Sequence, residues 1–204
     1  TWKELHERCG ECPWPQPTGW QSPFCPNNLH RTMIQRVAPY TLRGFLYYQG
    51  EEDVVRYEGY SDMMIALVKQ WRMDWNDWSL PFLFVQLPMY LAIDTEDDKK
   101  WAMQREQQAI AAAMLKRAGM ISMTDCGEFD NIHPLDKETP GTRLALLAEQ
   151  MVYGTGEEWT PTVQQMYSDG TALYLVFDHV ADGLVIHASQ PETCQIAGAD
   201  GVYY

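Results

Sequence analysis

The feature that most constrains this chain is an alternation of apolar runs with two different periods. Leu42 to Tyr48 reads as a strand, and Val54 to about Trp75 as a helix whose stripe is Tyr57, Tyr60, Met64, Leu67, Val68 and Trp71. Pro81 opens a second strand, Phe82 to Leu87. Thr95 with Asp98 makes a capping box for a helix through Trp101, Ile110 and Leu115 that stops near Gly119. A third strand, Met120 to Thr124, follows, then a helix from Gly141 to Val152 carrying Leu144, Leu147, Ala148 and Met151 and ending at Gly154. Strand, helix, strand, helix, strand, helix is the order of a parallel sheet with helices on its faces. In such sheets ligands gather beyond the carboxyl ends of the strands. Two segments fall there: Gln49-Gly50-Glu51 after the first strand and Asp125 to His133 after the third.

The flanks read differently. Residues 1–28 hold Pro13, Pro15, Pro17, Pro23 and Pro26 with three tryptophans, too proline-rich for regular structure and too aromatic for a free linker, and so read as a segment wrapped over a neighbouring surface. Residues 29–156 carry the α/β pattern. From 157 to 204 the pattern turns to short alternating strands, Ala172 to Phe177 and Leu184 to His187, broken at Asp169-Gly170 and Asp182-Gly183. This is the start of an all-β unit. Three strands are few for a doubly wound domain, so the chain reads as an excerpt of a longer polypeptide.

With 46% apolar and 21% charged residues the chain is globular, and its formal charge of −13 without a basic cluster argues against nucleic acid or anionic membrane as partners. No apolar run approaches the roughly 18 residues of a membrane-spanning helix. Five cysteines leave at least one unpaired. Cys9-Gly10-Glu11-Cys12 has neither a second pair at zinc spacing nor a strand before it, and reads as a loop pair or local disulfide rather than a metal or redox site. The odd cysteine count and the lack of a visible leader favour the cytoplasm, with a secreted or periplasmic location open if a leader has been removed.

The chemistry centres on Asp130-Asn131-Ile132-His133-Pro134, a carboxylate three residues before a histidine in a loop. If a serine does the chemistry, the histidine accepts its proton and the carboxylate holds the other ring nitrogen in the right tautomer. Taken singly, Asp130 is equally a turn-former bonding its own backbone. His30, His179 and His187 lack a partner pattern and read as structural, as do Trp71, Trp75, Trp78 and Trp101 as packing residues, and Arg105 as one half of an ion pair on its helix.

In order along the chain, Gly44 through Gln49-Gly50-Glu51, Trp71-Arg72, Leu80-Pro81-Phe82, Val85-Gln86-Leu87, Trp101 with Arg105-Glu106 and Gln108, Asp125, Ile132-His133-Pro134 with Lys137, and Gly141-Thr142-Arg143-Leu144-Ala145 to Tyr153-Gly154 resemble the sialate O-acetylesterases of the SGNH-hydrolase superfamily. The resemblance implies a flavodoxin-like, three-layer α/β/α esterase domain, its N-terminal half missing here, followed by the start of a β-sandwich module. It implies removal of O-acetyl groups from sialic acid or another acetylated sugar by a serine mechanism, without a metal or other cofactor. His133 matches the family's base and Asp130 the acid of its D-x-x-H pair. Gln49-Gly50-Glu51 matches a Q-G-E block lining the same pocket, with the Gly50 N–H and the Gln49 amide as oxyanion donors and Glu51 as an alternative orienting acid.

The chain departs from the family at the nucleophile. Relatives carry it in a Gly-Gln-Ser-Asn type turn before the Q-G-E block, and none of Ser22, Ser61, Ser79, Ser122, Ser168 and Ser189 sits in such a turn. The nucleophile is therefore expected from an upstream part of the same polypeptide or from a second chain. Glu52-Asp53 also replaces the small polar residue and Asn found in many relatives. The competing reading is a non-catalytic sugar-binding or interaction module that keeps the fold.

Overall fold

The structure, a computed structural model, describes residues 25–91, 99–156, 161–180, 183–185 and 196–202. The proline-rich segment through residue 24 with Cys9, Cys12 and Ser22, the Thr95–Asp98 cap and His187 lie outside the described residues.

Three parallel strands, β1 (Phe45–Tyr47), β2 (Phe82–Val85) and β3 (Ala118–Ile121), form a sheet in the order β1-β2-β3. Phe45 pairs with Phe82 and Phe82 with Ala118, so the three strands start level. All four residues of β2 are buried, as expected of a central parallel strand covered on both sides. Each strand is shorter than its apolar run: Leu42 lies before β1, and Gln86 and Leu87 continue beyond β2 as extended chain. Met120 and Ile121 belong to β3, which begins earlier, at Ala118, and ends before Ser122.

Helices cover both faces. On one, Phe82 and Phe84 pack with Phe45 against Tyr60, Met64 and Val68 of α1 (Tyr60–Asp74) and against Ala111 and Leu115 at the end of α2 (Lys100–Met114). Leu83 and Val85 face the opposite way, with Ile121 and Met123, onto Leu144 and Leu147 of α3 (Glu138–Ala148). This is the period-2 alternation of a strand meeting the i, i+4 stripes of three helices. Phe45 adds an aromatic nest, its ring centroid 5.2 Å from Trp71, 5.1 Å from Trp75 and 5.8 Å from Phe82.

Four expectations need correction. Val54 and Tyr57 belong not to α1 but to a 3₁₀ segment, Glu51–Gly59, interrupted at Arg56 by non-helical backbone. The buried face of α2 is Gln104, Gln108 and Ala111, whereas Ile110 is exposed. Trp78 is exposed, in the turn before β2, unlike Trp71, Trp75 and Trp101. The last helix begins at Glu138, with Asp136 accepting the Thr139 N–H, and runs through a π-helical turn, Glu149–Tyr153, to Gly154 in the left-handed region.

Arg72 stitches α1 to the starts of β2 and β3. Its guanidinium is buried and donates from Nε to the Leu80 carbonyl at 2.9 Å and from Nη2 to those of Lys116 and Arg117 at 2.9 and 3.1 Å. His30 is structural as read, and has a partner 44 residues away: its Nε2 lies 2.5 Å from Asp74 Oδ2.

The β-rich segment contains an antiparallel hairpin of β4 (Thr162–Ser168) and β5 (Leu173–Asp178) around Asp169-Gly170. Asp169 Oδ1 accepts the N–H groups of Thr171 and Ala172, which sets the turn. The expected strand at Ala172 to Phe177 is β5. Its partner is Thr162–Ser168, and Leu184-Val185 is not in a strand.

Candidate active site

The segments after β1 and β3 leave the sheet at its carboxyl edge, on either side of β2. Tyr48 joins them: its ring packs with Cys126 against the Leu83, Val85 and Ile121 cluster and receives the Lys137 ammonium 4.8 Å from its centroid. Burial, helped by the nearby Glu51 charge, pushes the Tyr48 hydroxyl up to about 12, and burial raises the Cys126 thiol to about 11. Both are neutral at physiological pH and serve as packing.

The first segment is a turn built from glutamines and tyrosines. Gln49 Nε2 donates to Asp53 Oδ2 at 2.6 Å, while Gln49 Oε1 accepts the Tyr47 hydroxyl at 3.2 Å. The Gln49 carbonyl accepts the Tyr60 hydroxyl at 3.0 Å and Gln108 Nε2 at 3.4 Å. Gln108 also receives the Leu87 N–H on Oε1 at 2.9 Å and donates to the Val85 carbonyl at 3.2 Å. One amide thus ties the turn after β1 to the end of β2. Burial, reinforced by Asp53 and Glu51, lifts the Tyr47 hydroxyl to about 12, so it is a donor here and not a phenolate. One amide hydrogen of Gln49 goes to Asp53, and the other has no partner among the described residues.

Gly50 follows with φ +144°, a conformation that L side chains rarely adopt. A Cβ here would stand 3.1 Å from Gln104 Nε2, 3.3 Å from the Tyr60 hydroxyl and 3.4 Å from Gln108 Nε2. The bare backbone therefore passes directly over a buried polar floor. Gln104 is fully enclosed, and neither its Nε2 nor its Oε1 has a hydrogen-bond partner among the described residues. Glu51 opens the 3₁₀ segment and is half-buried.

The second segment is anchored at both ends. Arg143 from α3 forks onto Asp125, with Nη1–Oδ1 and Nη2–Oδ2 both 2.7 Å, and Nη1 also reaches the Ser122 carbonyl at 2.6 Å. The fork holds the Asp125 carboxyl down at about 2. Gly127 passes against Pro88, and the Phe129 carbonyl accepts the Leu91 N–H at 2.8 Å. Beyond this, Asn131 Oδ1 accepts the His133 N–H at 3.0 Å, and His133 itself is exposed.

The structure does not join the sequence-predicted acid to the base. Asp130 is exposed, and among the described residues neither Asp130 nor Glu51 makes a hydrogen bond or ion pair with the His133 ring. Sequence reasoning missed Asn131, Glu128 and Gln104. Asn131 sits inside the motif itself, but the other two carry no local signal, because their importance lies in partners made by folding. Arg105 reaches off its helix, donating from Nη1 to the Pro88 carbonyl at 3.4 Å.

A parallel sheet with helices on both faces and loops gathered at its carboxyl edge defines a mixed α/β domain with its site beyond the strand ends. A solved structure described as a carbohydrate acetylesterase from Xanthomonas citri superposes with a TM-score of 0.73 and 32% identity, covering 86% of this chain and 42% of that one. The family model for sialic acid-specific acetylesterases, a carbohydrate esterase family, matches residues 16–152, and the chain belongs to that family. Rat sialate O-acetylesterase is 30% identical over an alignment of 142 positions that covers 62% of this chain and 26% of the rat protein. The human sialate O-acetylesterase is 29% identical over an alignment of 161 positions that covers 71% of this chain and 30% of that protein. The chain thus spans less than a third of the length of these curated relatives.

Proposed function

We propose that this chain supplies the histidine-bearing side of a serine carbohydrate O-acetylesterase site, acting on sialic acid or another acetylated sugar. The domain is then the C-terminal part of a flavodoxin-like SGNH hydrolase, and the β4–β5 hairpin belongs to the start of a β-sandwich module. The observation that carries the reading is that a buried glycine backbone at φ +144° and an exposed histidine belong to the two loops that leave the sheet at one edge. A non-catalytic binding module has no use for that pairing.

On this reading a serine from outside this sequence attacks the acetyl carbonyl while His133 takes its proton. The negative oxygen is stabilised by the Gly50 N–H and the free amide hydrogen of Gln49. The tetrahedral species collapses by releasing the sugar oxygen, which His133 protonates, and leaves an acetyl-serine. Water then attacks with His133 again as base, giving acetate and free serine. Asp130 or Glu51 orients the ring and stabilises its imidazolium. Neither touches the ring among the described residues, and the two carboxylate variants below decide between them.

Hydrolysis of 4-nitrophenyl acetate and of an O-acetylated sialic acid by the full-length polypeptide, with His133→Ala, Asp130→Asn and Glu51→Gln beside it, tests this. His133→Ala should lower kcat by about 10³-fold or more, and the orienting acid is whichever carboxylate variant follows it. Wild-type rates in His133→Ala overturn the reading in favour of a binding module.

A further inference from the structure

Among the described residues the His133 ring has no partner, and the observation to build on is the backbone beneath it. That backbone is held by a single carboxylate. Glu128 Oε2 accepts Asn131 Nδ2 at 2.6 Å, and Glu128 Oε1 accepts the Leu135 N–H at 2.7 Å. Asn131 passes the constraint on, its Oδ1 taking the His133 N–H at 3.0 Å and its own N–H going to the Glu128 carbonyl at 3.1 Å. The residues two before and two after the histidine are therefore fixed to one side chain through short, charge-assisted bonds. Both donors also hold the Glu128 carboxyl below its ordinary value, so the acceptor is ionised at neutral pH. The base of this clamp does not drift, because Phe129 is bonded to Leu91 and Asp125 is forked by Arg143.

We propose that Glu128, acting through Asn131, is a positioning residue that places His133 for proton transfer without touching substrate. The inference rests on the reading of His133 as the base. Its chemistry is specific about atoms. Glu128 faces two donors, so it must offer two acceptors; a glutamine offers one acceptor and one donor. If Asn131 flips its amide to meet that donor, it turns its own NH₂ toward the His133 N–H, and the conflict moves without disappearing. Asn131→Asp alone sets two carboxylates face to face. The double exchange Glu128→Gln with Asn131→Asp resolves everything: the introduced glutamine accepts from Leu135 and donates to the introduced aspartate, whose second oxygen accepts from His133.

The test is that cycle in the full-length polypeptide, with kcat and KM for 4-nitrophenyl acetate and the amide exchange rates of His133 and Leu135. Each single variant should lose at least about tenfold in kcat with KM within about twofold, since a displacement of about 1 Å near the chemistry costs up to about a hundredfold. Amide exchange at positions 133 and 135 should quicken by about tenfold or more in both. The double variant should return kcat to within about threefold of wild type, a coupling that two independent surface changes do not produce. Single variants with wild-type kcat, or a double variant no better than the worse single, overturn the proposal. His133→Ala at wild-type rate overturns the catalytic reading instead, and the exchange rates then still decide whether the clamp exists.

Discussion

Gly50→Ala is the substitution from which the structure demands most. At φ +144° an alanine is strained by about 1–3 kcal/mol. Its methyl would also meet three polar atoms at 3.1, 3.3 and 3.4 Å. The nearest, on Gln104, has no hydrogen bond to lose among the described residues. The other two, on Tyr60 and Gln108, hold the Gln49 carbonyl, and displacing either gives up about 1 kcal/mol. The sum is about 2–4 kcal/mol, which for a chain of this size lowers the melting temperature by about 5–15 °C. Calorimetry reads this directly. On the oxyanion reading kcat of the full-length polypeptide also falls, because the strained backbone turns the N–H that alanine keeps away from the oxyanion; the loss of a preorganised donor, about 10²-fold, is its upper bound. A variant that melts within about 1 °C of wild type refutes the strain argument, and one that melts low yet keeps wild-type kcat refutes the oxyanion role.

Arg72→Met strands three backbone carbonyls at the junction of α1, β2 and β3, and should cost about 2–4 kcal/mol in urea unfolding, the lost charge-assisted bonds being offset in part by the desolvation of the guanidinium. A loss under about 0.5 kcal/mol would contradict the stitch. Gln104→Met, of similar shape, removes a buried amide without partners among the described residues and should raise stability by about 1–3 kcal/mol, against the usual sign for core substitutions; destabilisation would mean that the amide is engaged. Asp125, held at about 2 in the folded chain against 3.8 as a free side chain, contributes stability that is complete above about pH 4 and is lost as pH falls toward 2. Its carboxylate is 60% exposed, so the effect stays below about 1 kcal/mol, and Asp125→Asn should flatten the acid limb of stability over that window. A variant with an unchanged acid limb contradicts the fork.

The parts of the fold that were legible are those whose burial leaves a local period. Tyr60, Met64 and Val68 recur at four-residue steps, and Phe82 to Val85 is apolar without interruption, so α1 and β2 stand out in the sequence. The face of α2 does not, because Gln104 and Gln108 read as surface residues until the turn after β1 and the end of β2 close over them. The strand Thr162–Ser168 escapes for a related reason: a register shift between Val163 and Gln165 breaks its alternation, while β5 keeps a clean apolar run. Of the candidate residues, His133, Gly50 and Gln49 are picked out by their motifs. Glu128 was not, since an acid in a polar loop has no signature, and its meaning comes from the two donors folded onto its oxygens. Likewise no spacing pattern links His30 to Asp74.

The central claim is that His133 serves a serine from outside this sequence. The most direct measurement is labelling of the full-length polypeptide with a fluorophosphonate, followed by peptide mapping of the adduct, in wild type and His133→Ala. The account predicts a single modified serine outside the sequence of this chain, labelled at least about a hundredfold more slowly in the variant. Labelling of a serine within this chain, or equal labelling in both proteins, would contradict it.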